Sequence, residues 1–164
     1  MNILYAGSPD ISAKVLEDLY LLTENCSDFN IVGVLTNPPS AKGRHKELVP
    51  TEVAQIAIKY QLPVLEPEKL DADLREKVRA LNPDILVCFA YGKIFGPKFM
   101  ALFPQGGINL HPSLLPKYRG CAPVPAAILN QEEETGITVQ KLALEMDSGD
   151  VLLQVKIPLD FTET

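Results

Sequence analysis

The sequence predicts an α/β protein: a mainly parallel sheet in a three-layer sandwich with helices on both faces. Three observations predict it. Short β-branched runs alternate with stretches of helical periodicity, a pattern that needs crossover connections and therefore parallel strands. The run "PDILVCFA" is apolar without interruption, as a strand covered on both faces is. The last two runs, "GITVQKLAL" and "DVLLQVKIPL", are separated only by "EMDSGD", which adds a hairpin-like region at the end.

Taken in order, "NILYA" reads as a buried strand and "GSPD" as a turn. Ile11, Val15, Leu19 and Leu22 then recur at helical spacing and are expected to face inward. "FNIVGVLT" is the second strand. "NPPSAKGRHKELVP" is predicted to be a long proline-bounded loop, and long ordered loops in compact domains are often functional. Thr51 is the expected N-cap of a helix that turns Val53, Ile56 and Ala57 inward. "LPVLEP" supplies a short strand, and "DADLREKVRAL" a helix capped by Asp71 with Leu74, Val78 and Leu81 along one stripe. After "PDILVCFA" come a short helix from Pro97 to Leu102, a strand from Gly107 to Leu110, and a helix in "APVPAAILN" whose prolines fit only its first turn.

Composition narrows the function. The chain has 164 residues, 46% apolar and 22% charged, without tryptophan, which suits one ordinary globular domain. No apolar stretch approaches the roughly 18 residues a membrane span needs, and the opening lacks the basic flank of an export leader. Cys26, Cys88 and Cys121 are an odd number without metal-ligand spacing; reduced thiols, no metal and a cytoplasmic setting are expected. A net charge of -6 argues against a whole-surface nucleic-acid binder. Any such contact must be local, and "AKGRHKEL" with Lys42, Arg44, His45 and Lys46 is the local candidate.

The chemistry gathers in "INLHPSLLPKYRGCAPV". Residues two apart on a strand share a face, so Asn109 and His111 project together, at the strand end where open α/β sheets bind ligands. Pro112 stops the ladder at the histidine. The segment Ser113 to Pro116 offers backbone groups and an apolar wall to a flat ligand, and Arg119-Gly120 permits a sharp turn. A carboxylate is needed to orient the imidazole. Asp147 in "EMDSGD" is the best placed, with Asp150 as competitor, and both also suit simple turn chemistry. Ser113 lacks the strand-turn-helix context of an activated nucleophile. The set therefore suggests group transfer to an amine: the amine attacks a carbonyl, Asn109 and protonated His111 stabilise the oxyanion, and Asp147 supports the imidazolium.

These residues resemble the 10-formyltetrahydrofolate-dependent formyltransferases. "HPSLLPKYRG" is close to that family's signature, and "GSPDIS", "PPSAKGRHKELVPTEV", "FAYGKI" and "ETGITVQ" resemble further segments of it. Similarity runs from Met1 to the end and is greatest to the branch that formylates methionyl initiator tRNA. The resemblance implies a Rossmann-like fold, catalytic roles for Asn109, His111 and Asp147, and 10-formyltetrahydrofolate as co-substrate. Folate contacts would come from Ser113, Leu114, Leu115 and Pro116, from Phe89, Tyr91, Gly92 and Ile94, and from the loop from Leu142 to Asp147. Arg44 would lead the contact to tRNA, with Lys42 and Lys46 helping. It also implies that residues 1–164 are a catalytic domain, ending short of the family's C-terminal barrel domain. Ser8 stands where threonine is usual, Cys121 where alanine is common, and Glu145 near a position that often carries glycine.

One alternative shares the enzyme class, a relative that formylates a small amine or hydrolyses the donor; another is a catalytically silent fragment that binds the donor without activity on tRNA. A dinucleotide-binding module is disfavoured, because "AGSPD" has a single glycine and "VLTNPPS" no acidic residue.

Overall fold

A computed structural model describes residues 1–42, 47–160 and 162, with Lys42 placed by its backbone alone. The chain divides into two compact units, Met1–Gly107 and Ile108–Thr164.

The first unit holds β1 (Asn2–Gly7), α1 (Asp10–Glu24), β2 (Asn30–Leu35), β3 (Ser40–Lys42), β4 (Glu47–Val49), α2 (Glu52–Lys59), β5 (Val64–Leu65), α3 (Ala72–Ala80), β6 (Ile85–Phe89) and α4 (Pro97–Met100). Its main sheet is parallel, in the order β5-β2-β1-β6. The chain moves outward from β1 through β2 to β5 and then returns past them to β6. Right-handed crossovers therefore place α1 and α2 on one face and α3 on the other. Tyr20 of α1 stacks on Tyr60 beyond α2 with ring centroids 4.2 Å apart, while Leu81 beyond α3 packs where Gly33 leaves room.

Gly7 is required by a close approach. A Cβ there would lie 1.8 Å from Ser12 Oγ and 2.7 Å from the Phe89 carbonyl. The space is taken by a buried relay in which Ser12 Oγ donates to that carbonyl at 2.8 Å and Tyr5 Oη to the Ser12 carbonyl at 2.7 Å. The buried face of α1 is accordingly Ser12, Ala13 and Leu16, not the expected stripe: Ile11 and Leu22 are 52% and 65% exposed. The helix turns its small residues to the strands because only they allow this approach. Thr51 and Asp71 cap α2 and α3 as expected, accepting from the N–H groups of Ala54 and Leu74. In α2 the inward residues are Val53, Ala54 and Ala57.

The expected long loop instead contains the antiparallel pair β3–β4, which supplies hydrogen-bond partners to backbone that would otherwise be open. Tyr91, Phe95, Phe99 and Phe103 form a ladder with successive centroids 5.5, 5.3 and 5.6 Å apart.

The second unit holds β7 (Gly107–His111, joining it at Ile108), α5 (Pro123–Leu129), β8 (Glu134–Lys141) and β9 (Val151–Pro158). Here the pairing is antiparallel, β7 with β8 and β8 with β9. The β8–β9 connection closes on a tight neck. Lys141 N–H donates to the Asp150 carbonyl at 2.9 Å, and a Cβ on Gly149 would lie 1.8 Å from the Lys141 carbonyl oxygen. No helix among the described residues is long and apolar enough to cross a membrane.

Candidate active site

Asn109 and His111 of β7 stand opposite Gln140 and Thr138 of β8, so four polar side chains share one face. That face is covered: His111, Thr138 and Gln140 are 4%, 0% and 2% exposed.

The loop after His111 is fastened over it. Thr138 Oγ1 donates to the Ser113 carbonyl at 2.6 Å and accepts from Leu115 N–H at 3.2 Å. Gln154 of β9 donates to the Leu115 carbonyl and to Thr138 Oγ1, both at 2.9 Å. Leu114 lies against Gly136, where a Cβ would come within 2.5 Å of its Cδ2. Ser113 Oγ is buried and donates to the Lys117 carbonyl at 2.7 Å. The groups expected to meet a flat ligand are thus largely occupied within the protein. Half-buried Leu114 and exposed Pro116 remain accessible, and Leu142 is half-buried.

Gly120, at φ +101°, makes the sharp turn and points its N–H to Asp147 Oδ2 at 2.8 Å. Gln140 Nε2 donates to the other oxygen, Oδ1, at 2.9 Å. Both carboxylate oxygens are held, with Asp147 itself in the left-handed region at φ +51°, which aspartate tolerates better than most residues. Oδ2 lies 3.5 Å from His111 Nδ1, and the two side chains are 9% and 5% exposed. This is a charge contact rather than a short hydrogen bond. Asp150, the competitor, is 79% exposed and pairs with Lys141. The structure therefore brings Asp147, not Asp150, to the imidazole.

The second ring nitrogen is also engaged, since His111 Nε2 donates to the Tyr118 carbonyl at 2.8 Å. A carbonyl only accepts, so Nε2 carries a proton, and only the imidazolium also gives Asp147 one to accept. Tyr118 is held by its phenol, which donates to Glu132. That bond and the Lys117 ammonium hold the Glu132 carboxyl below its ordinary range. Asn109 is half-buried and its amide makes no hydrogen bond among the described residues, leaving it free to meet a ligand.

The other predicted residues lie in the first unit. Phe89 and Tyr91 are buried, at 6% and 1% exposure. Tyr91 packs into the aromatic ladder, and burial pushes its phenol up to about 12, with Cys88 adding to the shift. Exposed Gly92, at φ +83°, and Ile94, 68% exposed, are the accessible members of that stretch. Arg44 and Lys46 lie outside the described residues, and Lys42 contributes a backbone position in β3. Among the described residues no group of three His, Cys, Asp or Glu side chains is placed to hold a metal.

Sequence reasoning missed Gln140, Thr138 and Gln154. For the first two the signal is parity: Gly136, Thr138 and Gln140 occupy alternate positions of β8, and these are its buried ones; Gln154 lies on β9, which shows no such alternation.

Residues 1–164 match the family described as Formyl transferase. The chain belongs to the formyl transferase family. Among its formyl transferase relatives are proteins called methionyl-tRNA formyltransferase. That of Treponema denticola is 49% identical, the match covering all of this chain and 52% of the relative. That of Thermotoga maritima is 39% identical, covering all of this chain and 51% of the relative. The chain thus spans about half the length of these curated relatives. The formyl transferase fold is shared more widely. A phosphoribosylglycinamide formyltransferase from Bacillus halodurans superposes with a TM-score of 0.80 at 17% identity, covering all of this chain and 83% of that one. A sugar N-formyltransferase from Shewanella gives 0.69 at 18%, covering 97% and 58%. The expected Rossmann-like fold is therefore the one this formyl transferase adopts.

Proposed function

We propose that this chain carries the catalytic centre that moves a formyl group from 10-formyltetrahydrofolate to the amino group of methionine on initiator tRNA, in the cytoplasm. The observation that supports this reading is the carboxylate of Asp147, held on both oxygens beside His111, with the unpaired Asn109 amide on the strand that bears the histidine. The relatives' names supply the acceptor.

In this reading the amine nitrogen attacks the formyl carbon and a C–N bond forms. Negative charge moves onto the formyl oxygen, where the Asn109 amide donates a hydrogen bond and the His111 imidazolium supplies positive charge. The amine proton passes to the Asp147 carboxylate, the member of the pair that can accept one, and is returned to the folate nitrogen as the original C–N bond breaks. Leu114, Pro116 and Leu142 give the donor its apolar contacts, with Gly92 and Ile94 the reachable members of their stretch. Ser113 and Leu115 in the second unit, and Phe89 and Tyr91 in the first, are buried and act by supporting their own segments. Lys42, Arg44 and Lys46 supply the local positive charge that an otherwise acidic chain needs for phosphate.

The test is transfer of labelled formyl from 10-formyltetrahydrofolate to methionyl initiator tRNA, by this chain and by His111→Ala, with small amines assayed in parallel. Transfer to tRNA that vanishes in the variant supports the reading. Transfer only to small amines, or hydrolysis of the donor alone, overturns the acceptor.

A further inference from the structure

We propose that Gln140 is a positioning residue that fixes the Asp147 carboxylate against His111, an inference that rests on the function proposed above. The side chain is 2% exposed, and its orientation is determined by its partner. A carboxylate accepts only, so the amide must turn Nε2 toward Asp147 Oδ1, at 2.9 Å. Its Oε1 is then left buried without a hydrogen-bond partner among the described residues.

An orphaned buried acceptor destabilises the fold that contains it. Position 140 is an interior strand position between Val139 and Lys141, where an apolar side chain of the same length would bury as well without that penalty. The fold has no need of an amide there, but the Asp147 carboxylate does. With its side chain 9% exposed, Asp147 has little access to water. Without Gln140, the Gly120 N–H would be its one hydrogen-bond donor among the described residues, beside the charge contact with His111. A carboxylate held at one oxygen can rotate about its own Cβ–Cγ bond. Held at both, it keeps Oδ2 toward the imidazole.

Gln140→Met removes the donor and the orphaned acceptor while keeping the length. Gln140→Glu keeps the shape and replaces the donor with a second carboxylate. Three quantities are read for each variant and the parent chain: kcat and KM for formyl transfer, the melting temperature, and the hydrogen-exchange rate of the Gly120 amide. The expected result for Gln140→Met is a fall in kcat of about tenfold to a hundredfold with KM unchanged. Its melting temperature should be equal or higher, and Gly120 should exchange faster while the strand amides do not. Gln140→Glu should be slower still. Parental kcat and parental Gly120 exchange in Gln140→Met would overturn the proposal. So would a joint fall in kcat, melting temperature and strand protection, because that pattern marks a packing role. If the parent chain transfers no formyl group, the proposed function fails, and the Gly120 exchange rate still decides whether Gln140 holds Asp147.

Discussion

The Tyr118 carbonyl accepts the Nε2 proton of His111 at 2.8 Å. The same tyrosine sits in the left-handed region at φ +57° and is tied by its phenol to Glu132 and Asn130. One residue thus links the His111 imidazole to the Glu132 carboxylate. Tyr118→Phe cuts that link. We expect a several-fold loss of kcat with little change in melting temperature, read by formyl transfer and thermal melting.

Acid should act through the same link. Tyr118 and then Lys117 lower the Glu132 carboxyl below its ordinary range. A lowered carboxylate contributes stability that is present above its unfolded value and is lost as pH falls through the folded one. The melting-temperature difference between the parent and Glu132→Gln should therefore be largest near neutrality and shrink below the ordinary carboxylate range. A difference constant across that window would show that the ionised carboxylate does not hold Tyr118.

Asp147→Asn should abolish most turnover while donor affinity stays largely intact, since its NH₂ would meet either Gln140 or Gly120 donor to donor. Loss of general acid-base support costs about two orders of magnitude or more. Asp150→Asn should remain near parental, because the Asp150 carboxylate is exposed and pairs with Lys141 on the surface. Equal losses in the two variants would reverse the assignment.

Asn109→Ala should lower kcat by a factor corresponding to roughly 3 kcal/mol of barrier. Its melting temperature should hardly move, because the amide has no hydrogen-bond partner among the described residues to lose. Unfolding of the variant would instead reveal a structural asparagine.

Much of this was readable from the sequence, and the misses have physical causes. Strand order and caps follow from local signals: β-branched runs, Thr51 and Asp71 at helix starts, and Pro112 ending β7. That Asn109 and His111 share one face of β7 follows from strand alternation alone. The inward face of α1 did not, because the approach of Gly7 to Ser12 selects small residues over the apolar stripe. The hairpin β3–β4 was hidden by its prolines and charges. Asp147 could not be separated from Asp150 by spacing, since the choice depends on a neck closed by tertiary contact. Gln140 looked like an ordinary strand residue until its partner, seven positions on, came back beside it.

That neck has a consequence for what may change in this chain. Gly149 against Lys141 closes the connection from below, and Gln140 and Gly120 hold Asp147 within it. Ala143, Leu144, Glu145 and Met146, between these fixed points, are all exposed. Glu145, an unusual residue by resemblance, needs no positive φ here; that conformation falls to Asp147. The stretch hangs from a fixed clasp, so that substitutions there alter the face offered to the proposed donor while the geometry at His111 is inherited unchanged.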